Sequence, residues 1–215
     1  MQTPFDADFY HAVSQTWPAT GKVILGTFSS DTIILYQAYR KDIADWAATH
    51  KTFLGCPTFK MERMTWVKPN FLWMMYRSGW ATKRNQERIL AITIKLSGFM
   101  EILGNASTNP ERTIADADDT TGTTTVRDDV RLQWDPDHDP YGNKMERRAI
   151  QLGLRGEILG KFLNEWIVDI HDITDFVQQQ FQFVQNQNLD LLKVPNEKIF
   201  EIKDDNLRKY IGADQ

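Results

Sequence analysis

Between Arg63 and Arg88, six cations (Arg63, Lys68, Arg77, Lys83, Arg84 and Arg88) are interleaved with four large rings, Trp66, Trp73, Tyr76 and Trp80. Arginine grips phosphate oxygens two at a time, and aromatic faces stack on planar rings. The combination suits a dinucleotide or a nucleic acid. An aromatic core with a solvated cationic rim has the same composition, and both readings stand at this point. Phe71, Leu72, Met74 and Met75 read as core. Arg63, Lys68, Arg77 and Ser78 read as candidates for the rim of a site.

Two further groups carry chemistry. Glu87 stands directly ahead of the apolar run Ile89-Leu90-Ala91-Ile92. A carboxylate at a strand mouth can act as a base or stabilise a cation, and a solvated surface glutamate is the plainer reading. Tyr36 and Gln37 lie inside another apolar run, Ile33 to Tyr39. A buried glutamine needs hydrogen-bond partners, which ligand or backbone can supply. Phosphate loops of the Walker or dinucleotide type are absent, as is a serine nucleophile elbow. His11, His50, His138 and His171 lack metal-ligand spacing, and a lone Cys56 cannot build a zinc cluster. His138 among Asp135, Asp137 and Asp139 reads as a solvated acidic turn. No metal is expected.

These residues need elements to hold them. Asp31 to Tyr39 reads as a strand buried on both faces, followed by a helix carrying Ile43, Trp46, Ala47 and His50. Lys68-Pro69 disfavours helix at Lys68. Phe71 to Tyr76 therefore reads as a short buried strand, with a helical turn as its competitor, and Ser78-Gly79 as a turn. Arg88 to Leu96 is the clearest strand. A short helix is expected over Phe99 to Ala106 and a mobile surface loop over 107–125. Val126 to Trp134 alternates as a half-exposed strand, Asp135 to Asn143 reads as a turn, and Arg147 to Arg155 as another strand. Ile158, Leu159, Phe162, Leu163, Trp166 and Ile167 form a helical stripe. Asp172 is placed to cap a second helix through Val184. The organisation expected is one domain over 1–215, with 1–22 as an arm or short helix and 186–215 as a C-terminal extension.

The 215 residues carry a formal net charge of −4, which argues mildly against a general nucleic-acid binder. With one cysteine, no intrachain disulfide can form, in keeping with a reducing compartment. Met1 to His11 lacks the charged and apolar regions of a signal peptide. No run approaches the roughly 20 apolar residues of a membrane helix. A soluble cytoplasmic protein that does not engage membranes is expected.

Several long segments resemble the domain-of-unknown-function family numbered 4291. They are Tyr36-Gln37-Ala38-Tyr39, Arg63 to Pro69, Phe71 to Trp80, Gln86 to Ile92, Leu132 to Pro136, and Arg148 to Leu154. The resemblance runs from about Gly26 to Phe176 and implies membership without an activity. More distantly, the order of polar residues resembles the ADP-ribosyltransferases. Those enzymes carry an Arg or His on a first core strand, a Ser or Tyr on a second, and a Glu at the mouth of a later one. Here the series is Tyr36-Gln37, then Tyr76 to Ser78, then Glu87. The chain departs from that pattern in having Gln37 and the later Arg40 in place of the first-strand His or Arg. It has Asn85 two residues before Glu87, where Glu or Gln is usual.

This second resemblance implies an α+β fold with a split or mixed antiparallel sheet core flanked by helices. It implies NAD as substrate, with ADP-ribose passed to a protein, nucleic acid or small molecule. Glu87, Tyr76 and Gln37 would be the catalytic set. Arg63, Arg77 or Arg84 would meet the diphosphate, Tyr76 or Trp73 would stack on nicotinamide, and Tyr36, Lys68 and Ser78 would complete the cofactor site. The alternatives are a non-catalytic nucleotide- or nucleic-acid-binding module, and a protein-interaction domain whose aromatics are all core.

Overall fold

The computed structural model describes residues 3–107, 112–115, 123–126 and 129–214. The chain begins with β1 (Ala7–Phe9), α1 (Tyr10–Ser14), β2 (Leu25–Gly26), β3 (Thr32–Tyr39), α2 (Lys41–His50), β4 (Thr65–Val67) and α3 (Phe71–Ser78). It continues through β5 (Arg88–Lys95), α4 (Leu96–Gly104), β6 (Ala106–Ser107), β7 (Arg112–Ala115), β8 (Thr123–Val126), β9 (Val130–His138) and β10 (Lys144–Leu154). Next come α5 (Gly156–Lys161), a π-helical turn (Phe162–Trp166), β11 (Ile167–Asp172), α6 (Thr174–Gln185), β12 (Lys193–Pro195), β13 (Lys198–Ile199) and α7 (Asp205–Ile211).

Antiparallel pairing dominates a mixed α and β architecture. One sheet has three strands in the order β11-β5-β3, and another has four in the order β4-β10-β9-β6, with only β6 on β9 parallel among the described residues. The three-stranded sheet is apolar on both faces, as the continuous runs in β3 and β5 predict. Ile33, Leu35, Leu90, Ile92 and Ile94 join a core with α2, α4, α5 and the inner face of the second sheet. On the other face Ile34, Tyr36, Ile89 and Ala91 pack under α3 and α6.

One backbone bridge joins the edge of β3 to the segment of β4 among the described residues. Tyr36 and Lys68 form an isolated antiparallel bridge, with Tyr36 N–H donating to Lys68 O at 2.7 Å and Lys68 N–H to Tyr36 O at 3.2 Å. Beyond that bridge β3 and β4 diverge, and side chains replace the ladder. Gln37 Nε2 donates to Trp66 O at 3.0 Å, and the Tyr39 and Thr65 hydroxyls lie 3.0 Å apart.

Several expectations change. Phe71 to Tyr76 is helix, not strand. The Asn70 side chain accepts from Trp73 N–H at 2.7 Å, and Gly79 closes the helix at φ 59°. A side-chain cap at one end and a left-handed glycine at the other outweigh the strand preference of the aromatics. The strand expected to end at Trp134 runs on to His138, so the turn is confined to 139–143, where Asp139 accepts from Tyr141 and Asn143 N–H. Val126 belongs to a separate two-stranded ribbon, β7 with β8. The rest of the loop expected over 107–125 lies outside the described residues. The helical stripe from Ile158 is buried as expected, but widens at Phe162 and gives way to β11 at Ile167. Trp166 lies over Gly98, where a Cβ would sit 2.3 Å from its ring. Strand β11 was not foreseen because Asp169, His171 and Asp172 break its apolar pattern. The last stretch is woven in: β12 pairs with β1, and β13 with β2.

Candidate functional site

The divergence of β3 from β4 opens a pocket of about 340 Å³. Gln37, Ala38 and Tyr39 line it from one sheet, and Met64, Thr65, Trp66 and Lys68 from the segment containing β4. Met74 and Arg77 of α3, Gln86 and Gln151 complete the wall. A second pocket of about 570 Å³ shares Tyr39, Met64 and Thr65 with the first, so the two adjoin. It is lined with cations, Arg40, Lys60 and Arg63, beside Phe59 and Asn85.

Lys68 dominates the first pocket. It is 3% exposed, and among the described residues its ammonium has no hydrogen bond or ion pair. Burial, reinforced by the Arg77 charge and opposed by Asp135, pushes its pKa down to about 8. A desolvated cation without a direct ion-pair partner is costly to hold, so an anion entering the pocket is favoured. Gln37 is also 3% exposed. Its Oε1 is enclosed near the Tyr39 hydroxyl without a well-formed hydrogen bond. Gln151 donates to Asp135 Oδ2 at 2.6 Å and holds that carboxylate at the edge of the site.

The structure thus brings together Gln37, Lys68 and Arg77, with Arg63 in the adjoining pocket. Glu87 is exposed just before β5, between Gln86 and Arg88, and its Oε1 accepts from Asn85 N–H at 2.8 Å. Arg84 is exposed on the same turn and lines neither pocket. Four further candidates lie outside the lining of both pockets. Tyr36 is fully buried between Phe5 and Phe71 and serves as core. Ser78 is fully buried and donates its hydroxyl to Met74 O. Tyr76 and Trp73 stack on His138, with ring centroids 3.5 Å and 5.2 Å away, rather than turning into the pocket. The strand reading of Phe71 to Tyr76 misplaced them, because helical spacing sends Arg77 toward the split and Tyr76 away from it.

That second face of α3 holds a buried polar network the sequence reading missed. Glu197 Oε1 accepts from Phe71 N–H at 2.6 Å and Oε2 from Asn70 Nδ2 at 3.2 Å. Burial holds this carboxyl well above its ordinary range, with Asp137 adding and Arg147 opposing. Arg147 Nε pairs with Asp137 at 2.6 Å and its guanidinium lies over Trp17. Both nitrogens of His138 are buried without hydrogen-bond partners, and burial lowers its pKa, so the ring stacks as neutral imidazole. Asn70 directly before an aromatic run is an N-cap signal that could have revealed the helix.

Sheet topology and pocket together define an antiparallel-dominated α and β protein with a cationic cleft where its two main sheets part. The chain belongs to the family described as Domain of unknown function (DUF4291), whose model matches residues 23–200. A search among curated proteins finds no match. No helix among the described residues is long and apolar enough to cross a membrane.

Proposed function

We propose that the cleft binds a nucleotide of the NAD class and that the protein transfers ADP-ribose from it to an acceptor. The observation that carries the binding half is Lys68: a largely buried side chain whose ammonium has no hydrogen bond or ion pair among the described residues, beside Arg77, in a pocket opened by the parting of two sheets. Lys68 and Arg77 would take the diphosphate oxygens, and Arg63, Arg40 and Lys60 in the adjoining pocket would hold the outer part of the ligand. Tyr39 and Trp66 offer ring walls, and the amides of Gln86 and Gln151 offer hydrogen bonds.

What supports the transfer half is the placement of Glu87, next in sequence to Gln86 of the pocket wall and at the mouth of the central strand β5. Released from Asn85 N–H, its carboxylate would bind the ribose 2′-OH and stabilise the oxocarbenium-like transition state as nicotinamide leaves. Tyr76 has no part in this version. The second reading, a binding module without catalysis, rests on the fact that Glu87 is turned onto its own loop.

The test has two arms. Calorimetric titration with NAD and ADP-ribose is expected to show binding that weakens with salt and falls about tenfold or more in Lys68→Ala and in Arg77→Ala, the loss of one charge-assisted contact. Affinity unchanged in both variants overturns the assignment of the cleft. Nicotinamide release from NAD, with and without acceptor candidates, is then compared between wild type and Glu87→Gln. Equal turnover removes Glu87 from the chemistry, and binding without turnover in any condition establishes the binding module.

A further inference from the structure

We propose that Lys68 is a carbonyl-reactive amine, whose Nζ forms an imine with the aldehyde of a phosphate-bearing sugar, open-chain ADP-ribose included, seated in the sheet split. The inference rests on the reading of the cleft as a phosphate site and adds a covalent step to it.

The geometry separates Lys68 from the chain's other lysines. Lys41, Lys51 and Lys161 pair with Asp45, Asp169 and Glu101. Lys83 spends its ammonium on the Tyr76 and Arg77 carbonyls. Lys68 alone among these is buried, unpaired and at the wall of a pocket. A desolvated lysine beside a second cation is the arrangement that makes an amine nucleophilic. Arg77 supplies that second cation and also the anchor for a phosphate. Among the described residues the carboxylate acting on Lys68 is Asp135, already engaged by Gln151. With a pKa near 8, roughly one Lys68 in ten is neutral at pH 7, against fewer than about one in a thousand for an ordinary lysine.

In the reaction the Nζ lone pair adds to the aldehyde carbon, giving a carbinolamine. The carbonyl oxygen then leaves as water, taking both amine hydrogens, and a carbon–nitrogen double bond remains. No oxidant or reductant is consumed. The pocket of about 340 Å³ falls within the range that holds a small ligand.

The test uses pyridoxal 5′-phosphate, a phosphate-bearing aldehyde, and then ADP-ribose, each with borohydride to reduce the imine to a stable amine, followed by peptide mass mapping. The wild-type protein is expected to carry one dominant adduct at Lys68, about tenfold or more above Lys60 or Lys83, with yield rising through pH 8 as the amine deprotonates. Arg77→Ala is expected to lower it about tenfold, and Lys68→Arg to abolish it. Adducts spread over Lys60 and Lys83 with Lys68 unmodified overturn the proposal, and that readout needs no variant to fold. ADP-ribose binding by calorimetry without trapping at Lys68 overturns the imine and leaves the cleft assignment standing. Pyridoxal phosphate trapped at Lys68 without ADP-ribose binding upholds the amine chemistry and removes the nucleotide.

Discussion

At the scale of single residues, the cost of the site is concentrated in Lys68. Its pKa is depressed to about 8, so the folded state disfavours the ammonium relative to the unfolded chain. The sign follows: the penalty is fully present below pH 8 and vanishes as pH rises through the ordinary lysine value near 10.4. Over that span the depression amounts to a few kcal/mol, on the order of 3. Lys68→Met, which keeps the stem and removes the charge, is therefore expected to raise the melting temperature of the ligand-free protein at pH 7 by several degrees. The same change should cost ligand affinity. A melting temperature lowered at pH 7 would mean that the ammonium has a compensating partner. Residues that bind commonly trade stability for function in this way. The sequence offered Lys68 as one of six interleaved cations. Nothing in the spacing said that it would be buried without a direct ion-pair partner, because its surroundings depend on Arg77 and Asp135 arriving from α3 and β9.

At the scale of elements, α3 decides the site. The sequence showed the long strands β3 and β5 and the helix α2 within a residue or so, because their apolar periods are clean. It misread α3 because eight residues with six buried side chains carry no helical period to read. What makes α3 a helix is its ends, Asn70 and Gly79, and a carboxylate 126 residues away at Glu197. Glu197→Ala leaves the buried Phe71 N–H without an acceptor and is expected to cost about 1–3 kcal/mol. Glu197→Gln keeps an oxygen for that N–H and should cost less. The folded-state pKa of Glu197 is raised, so its protonated form is favoured on folding, and stability falls as pH climbs above the ordinary glutamate value near 4.3. Urea unfolding between pH 5 and 8 should show that fall in wild type and a flatter profile in Glu197→Gln. Identical slopes would place the proton elsewhere, on Asp137.

At the scale of the whole molecule, two sheets share one bridge, Tyr36 to Lys68, and part immediately beyond it. A mixed antiparallel core could be expected from the sequence. The point where it splits could not, since it depends on which strand edges are left unpaired. Gln37 was singled out as a polar residue inside an apolar run, and it turns out to span that gap to Trp66. Gln151 passed unnoticed because it looks like an ordinary outward polar residue of an alternating strand, and Asp135, read as part of a solvated acidic turn, lies instead within β9, where it accepts from Gln151 Nε2.

The latch from Glu197 to the start of α3 also sets a clock. Ribosomes add roughly 5–20 residues per second, so the interval between making Phe71 and making Glu197 is about 6–25 s. Throughout it the helix that carries Arg77 lacks its buried cap, and β1 lacks its partner β12. The wall of the cleft that α3 supplies is therefore latched only after Glu197 has been made. Ribosome-stalled chains ending before Lys193 are expected to be cut by protease between Pro69 and Gly79, where the completed chain resists. Equal protection in both would show that α3 closes without its latch.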